Sequence, residues 1–150
     1  MSIDNYINTL EKHIANADKS NVKVSAKTVG WQIDHSLKVI IGSSTAFLDS
    51  TPTEYKPKFN FTRFVLYTLN YIPRGKGKAP KAVTYDGEIS KDYLLKNIEV
   101  ARNNVAKVNV ITDNHYFAHY LFGHLTKKKY IKFLNLHTKH HLKIIEDILG

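Results

Sequence analysis

Residues 29–48 read VGWQIDHSLKVIIGSSTAFL. Wound as a helix, this stretch carries apolar side chains around most of its circumference, with one clearly polar strip formed by Asp34, Lys38, Thr45 and the following Asp49. A helix so broadly apolar needs cover on more than one side, which a helix bundle supplies. Thr28, just before it, has the side chain of an N-cap.

The remaining sequence offers the covering helices. Ile3, Ile7, Leu10, Ile14 and Ala17 recur at steps of four and three, one buried stripe over residues 3–17. KSNVKVSAKT, 19–28, reads as an extended linker. After Pro52 and Pro57 break the chain, FNFTRFVLYTLNYI resumes helical spacing at Phe61, Val65, Leu69 and Ile72, with Asn60 as its cap. PRGKGKAPKAVTYDGE is a Gly/Pro-rich loop. From Ser90 a fourth helix aligns Leu94, Ile98, Ala101, Val105 and Val108. Asp113 opens a short turn or helix through NHYFAHYLF that Gly123 closes, and Thr126 caps a last helix. Strand signals are weak throughout, so the expectation is one all-α domain over residues 1–150, a four- to five-helix bundle.

The chain has no cysteine, which removes disulfides and thiolate ligation and leaves histidine or carboxylate for any metal site. The first twenty residues carry Asp4 and Glu11 and no continuous apolar run, so neither a signal peptide nor a membrane span is expected, and a soluble, cytoplasmic protein is. The net charge is +9, from 22 basic against 13 acidic residues, but only Arg63, Arg74 and Arg102 are arginines. Arginine supplies the planar fork suited to phosphate and guanine, so the charge reads as a lysine-rich solvated surface rather than a nucleic-acid interface.

Chemistry concentrates in LNLHTKHHLKII, residues 134–145. The core stripe of the last helix runs Tyr130, Leu134, His137, His141, Ile144 and Ile148, so two imidazoles four residues apart occupy core positions. Buried imidazoles need partners for their nitrogens, and a divalent ion with a third ligand provides one. His35, among Trp31, Val39 and Ala46 at the edge of the apolar arc of helix two, is the best third ligand. Three histidines with open coordination positions suit zinc, nickel, iron or manganese. His140 lies about 100° around the helix from His141 and flanks the site or faces a neighbouring helix. An isolated HxxxH is more often a pair of hydrogen-bonded histidines than a metal site. His115 and His119 form a second such pair in an aromatic-rich connector, and these two, with His124, read as packing and hydrogen-bonding residues. His13 reads as a surface residue.

W31QIDH35S, IPRGKGKAP, H119YLFGHLT126 and H137TKHH141L fall in an order that resembles the DinB/YfiT-like superfamily, most closely its DUF1569 branch. The resemblance covers the chain from Trp31 onward. It implies a DinB-like four-helix bundle, with a short helix or connector before the last helix, and a divalent metal held by His35, His137 and His141. The H119 segment is similar to an H-P-x-F-G-x-L-T pattern but has Tyr120 in place of proline. The superfamily includes metal-dependent hydrolases and thiol transferases, so the resemblance implies one of these activities on a small-molecule substrate.

Hydrolysis usually needs a general base near the ion. Asp34 points about 100° from His35 and reads as a solvated surface acid, Glu146 lies beyond the site, and His140 is the nearest titratable candidate for a catalytic role. Arg74, Lys76, Lys78 and Lys81 read as a solvated basic loop that lacks the phosphate-cradling pattern of nucleotide-binding proteins. The competing expectation is a non-catalytic binding or scaffold bundle with a structural ion or none. Dimerisation is common for such bundles, and a homodimer is expected without a located interface.

Overall fold

The Thr28 hydroxyl accepts a hydrogen bond from Trp31 N and caps a helix, α2, over Val29–Leu48, the bounds read from the sequence. The structure, a computed structural model, describes residues 2–75, 83, 89–112 and 114–150. Twelve of the 20 residues of α2 are buried, so it is covered nearly all round, as its composition requires. The cover comes from α1 (Ile3–His13), α4 (Lys91–Val110) and α5 (Lys127–Leu149). A single 3-10 turn, Ile14–Asn16, extends the α1 stripe, and Ile3, Ile7, Leu10, Ile14 and Ala17 are all buried. The α4 stripe is buried as expected at Leu94, Ile98, Ala101, Val105 and Val108. These side chains join one continuous core with Ile33, Leu37, Ile40, Phe47, Tyr130, Leu134 and Ile145. The fold is mostly helical.

The start of α2 meets the end of the α1 segment closely. Gly30 N donates to Ala17 O at 2.8 Å, and a Cβ at Gly30 would lie 2.9 Å from that same oxygen. Only glycine lets the two backbones approach so far.

The connector before α5 departs from the expected turn or helix. It is an antiparallel hairpin, β1 (Tyr116–His119) and β2 (Gly123–Thr126), in register Tyr116 with Thr126 and His119 with Gly123. Gly123 has φ +71, a left-handed conformation that starts the return strand. Thr126 stands at the N-cap position of α5, but its side chain makes no capping bond because the residue ends the ladder of β2. Asp113 lies outside the described residues. Ser50 Oγ accepts from Tyr116 N and contacts His115 Nδ1 at 3.2 Å, while His124 Nδ1 accepts from Lys56 N and its ring stacks on Tyr116. His115 and His124 are thus packing and hydrogen-bonding residues, as read from the sequence. They pin the hairpin to the segment after α2.

Helix α3 (Phe61–Leu69) starts at the Asn60 cap as expected but buries a different face. Phe61 and Leu69 are exposed, and the buried residues are Arg63 and Tyr67. Arg63 donates to Phe122 O and Lys58 O, and Tyr67 Oη donates to Lys129 O. Polar ends that find carbonyl acceptors carry their apolar stems into the interior, so the helix turns this face inward. The 19–28 linker contains a turn at Asn21–Val24 rather than extended chain throughout. No described helix is long and apolar enough to cross a membrane.

Candidate metal centre

Two helices deliver the three histidines. His35 projects from the first half of α2, and His137 and His141 lie one turn apart on α5. One ligand atom from each lies within 4.8 Å of the others. Ring centroids are 5.2 Å apart for His35–His137, 4.7 Å for His35–His141 and 4.6 Å for His137–His141. Trp31, one turn before His35, stacks on its ring at 5.0 Å with 3° between planes. His35 and His141 are buried, and the His137 ring keeps an edge on a cavity while being surrounded by protein.

Hydrogen bonds set the tautomers of two rings. His35 Nδ1 donates to Val83 O at 2.8 Å, and His141 Nδ1 donates to Gln32 Oε1 at 2.7 Å. With the proton held on Nδ1, a neutral ring keeps its lone pair on Nε2. Such an outer acceptor is the usual companion of a ligating histidine. Gln32 Nε2 donates in turn to Ser25 Oγ, which fixes the amide orientation. His137 Nδ1 is buried with no hydrogen-bond partner. Burial lowers the pKa of all three histidines, and for His137 and His141, which lie well below the ordinary value, the positive charge a neighbouring imidazole would carry adds to this. The triad is therefore a set of neutral nitrogen donors at neutral pH. Three neutral imidazoles and an orphaned buried nitrogen fit a borderline divalent ion such as zinc, nickel, iron or manganese.

The triad opens onto a cavity of about 780 Å³. Its walls are mainly apolar, with Trp31, Val39, Leu66, Phe117, Phe122 and Phe133 prominent. Among the described lining residues there is no carboxylate, so none supplies an acidic general base at the wall. His140 does line the cavity. Its ring meets His141 edge-on at 5.0 Å, hydrogen-bonds the Ile72 backbone, and has a pKa lowered by burial and by the Arg74 guanidinium. It flanks the triad, as its angular position on the helix indicated.

Asp34 is not the solvated acid expected. It is 1% exposed and pairs with Lys38 Nζ at 2.7 Å, one turn along the same helix. The supposed polar strip is closed over at this point because α2 is covered nearly all round, and the cation one turn away compensates the buried charge. Lys38 also reaches the cavity wall. Of the basic loop, Arg74 pairs with Asp147 of α5 at 2.6 Å, and Lys76, Lys78 and Lys81 lie outside the described residues.

Sequence reasoning missed Gln32 and the place of His119. Gln32 sits three residues before His35, on the same side of α2, so its spacing was the available signal. His119 lines the cavity at the end of β1. Compared with protein-family models, curated proteins and solved structures, the chain matches none.

Proposed function

We propose that this protein binds one divalent transition-metal ion through His35, His137 and His141 and acts on a small organic substrate in the adjoining cavity, by hydrolysis or thiol transfer. In this reading the chain is a DinB/YfiT-like four-helix bundle of the DUF1569 type, and the hairpin is the connector before the last helix. The observation that carries the reading is the convergence of three neutral imidazoles within 4.8 Å at the wall of a cavity large enough for a substrate.

When bound, the ion supplies Lewis acidity toward a ligated oxygen or sulfur. The chain's own residues do the rest. Val83 O and Gln32 Oε1 hold the Nδ1 protons of His35 and His141, so both rings are oriented before an ion arrives. Trp31, Phe117, Phe122 and Phe133 give the cavity an apolar wall and favour an apolar substrate body. His140 is the titratable side chain beside the triad and is placed to accept or return a proton.

The test is metal content by mass spectrometry on tag-free protein, wild type beside His137→Ala, followed by titration of metal-free protein. About one equivalent of a transition metal in wild type, lost in the variant, is expected, together with turnover that fails in both His35→Ala and His141→Ala. Failure of metal-free wild type to bind added Zn²⁺, Ni²⁺, Mn²⁺ or Fe²⁺ would overturn the reading. Bound metal that stabilises the fold but supports no turnover across hydrolase and thiol-transfer substrates would make it a structural ion in a scaffold.

A further inference from the structure

Phe133 is in ring contact with both His137 of the triad and His119. The Phe133 ring centroid is 5.7 Å from that of His137 and 4.8 Å from that of His119. The His119 ring is tightly held. It stacks on Phe122 at 4.5 Å and on Tyr120 at 4.8 Å, and meets Phe133 nearly edge-on. Its Nδ1 accepts two hydrogen bonds, from Leu121 N and Phe122 N, both at 3.1 Å.

A nitrogen that accepts two backbone N–H groups cannot itself carry a proton. The neutral ring therefore holds its proton on Nε2, at the edge away from the turn. Protonating the ring would break both accepted bonds in a largely apolar setting, in keeping with a pKa lowered by burial to about 4. No hydrogen bond engages Nε2 among the described residues, and the ring lines the cavity. The cavity thus has two polar poles, the triad and His119, joined by an aromatic wall.

The charges at the cavity favour an anion. Neutral histidine ligands leave the two positive charges of a bound ion uncompensated, and no described lining residue is acidic. We propose that His119 is a substrate-binding residue whose Nε2–H donates to an acceptor oxygen on the apolar body of an organic anion held at the triad. This rests on the metal reading and adds to it the substrate class, an aromatic or aliphatic carboxylate-like anion with a second, remote oxygen. A body with neither hydroxyl nor carbonyl would leave this donor without a partner in the cavity, so the site discriminates against it.

Matched probes test the proposal: 3-benzoylpropionate, 4-benzoylbutyrate and 5-benzoylpentanoate, each against the phenylalkanoate with a methylene in place of the ketone, titrated by calorimetry into zinc-loaded protein. At the chain length that spans the poles, the ketone should bind roughly tenfold more tightly to wild type, the effect of one well-placed hydrogen bond. Two variants separate binding from structure. His119→Asn places an acceptor near the position of Nδ1, keeps the turn and leaves no donor at the position of Nε2, so the preference should vanish while zinc still binds at one equivalent. His119→Gln places an amide donor near the position of Nε2 and should keep most of the preference. Equal binding of ketone and isostere at every length, no binding of any probe, or loss of the preference in His119→Gln with retention in His119→Asn would overturn the proposal, leaving the metal reading intact. Failure of wild type to take up zinc would instead overturn both.

Discussion

Acidification of the metal-free protein should cost stability steeply between pH 6.5 and 5. His119, His137 and His141 are held neutral in the fold, His119 with a pKa of about 4 and the other two well below their ordinary value of 6.5, all principally by burial. In the unfolded chain each returns to about 6.5. Between the folded and unfolded values the unfolded state binds protons that the folded state refuses, so stability falls as the pH falls. At pH 5.5 an unfolded imidazole is about nine-tenths protonated, and three of them take up about 2.7 protons on unfolding. At about 1.36 kcal/mol per proton and pH unit, the slope is about 3.7 kcal/mol per unit. His35 and His140 shift in the same direction and steepen it. For a domain at the low end of ordinary stability, about 5 kcal/mol, this brings acid unfolding close to pH 5. The assay is urea unfolding of chelator-treated protein at pH 7, 6, 5.5 and 5. His119→Asn should lower the slope by about 1.2 kcal/mol per unit, the share of one nine-tenths protonated imidazole. A wild-type slope under about 1.4 kcal/mol per unit would mean that fewer than one proton is refused, and would refute the buried, neutral assignment.

Gln32→Leu removes the acceptor that holds His141 Nδ1–H at 2.7 Å and should weaken metal binding by about 10- to 100-fold, read by competition with a chromophoric chelator. Unchanged affinity would show that packing alone orients the ring. Gly30→Ala sets a methyl 2.9 Å from Ala17 O and should destabilise the fold by about 1–3 kcal/mol in urea without altering metal stoichiometry, because the clash lies at the α1–α2 junction. A loss under about 0.5 kcal/mol would mean that the junction relaxes freely.

What the sequence made legible was periodic and buried. Helix α2 announces both ends, by the Thr28 cap and by the end of its apolar run, and the stripes of α1 and α4 are single and unambiguous. The triad was legible for the same reason, since a polar residue on an otherwise apolar stripe has few ways to be satisfied. The hairpin was not legible, because each strand has only four residues and one fully buried position, too few to display alternation. In α3 apolar residues lie on several faces, and Arg63 and Tyr67 go inward only because carbonyls of residues 58, 122 and 129 await them. Asp34 depends in the same way on a tertiary fact, the closure of protein around α2, that neighbouring residues do not encode.

The three histidines are not equivalent, and the difference follows from their elements. His35 and His141 are each fixed from behind by an oxygen, so they are oriented before any ion arrives. His137 has no such oxygen, and its ring is held by contacts with Phe133, His35 and His141. Its position therefore depends on the register of α5, which is set by buried Tyr130 hydrogen-bonded through its hydroxyl to Ser43 and Ser44 of α2. These same contacts lock α5 against the helix that carries His35. The geometry of the triad is thus inherited from the helix pair, and the two hydrogen-bonded rings refine it.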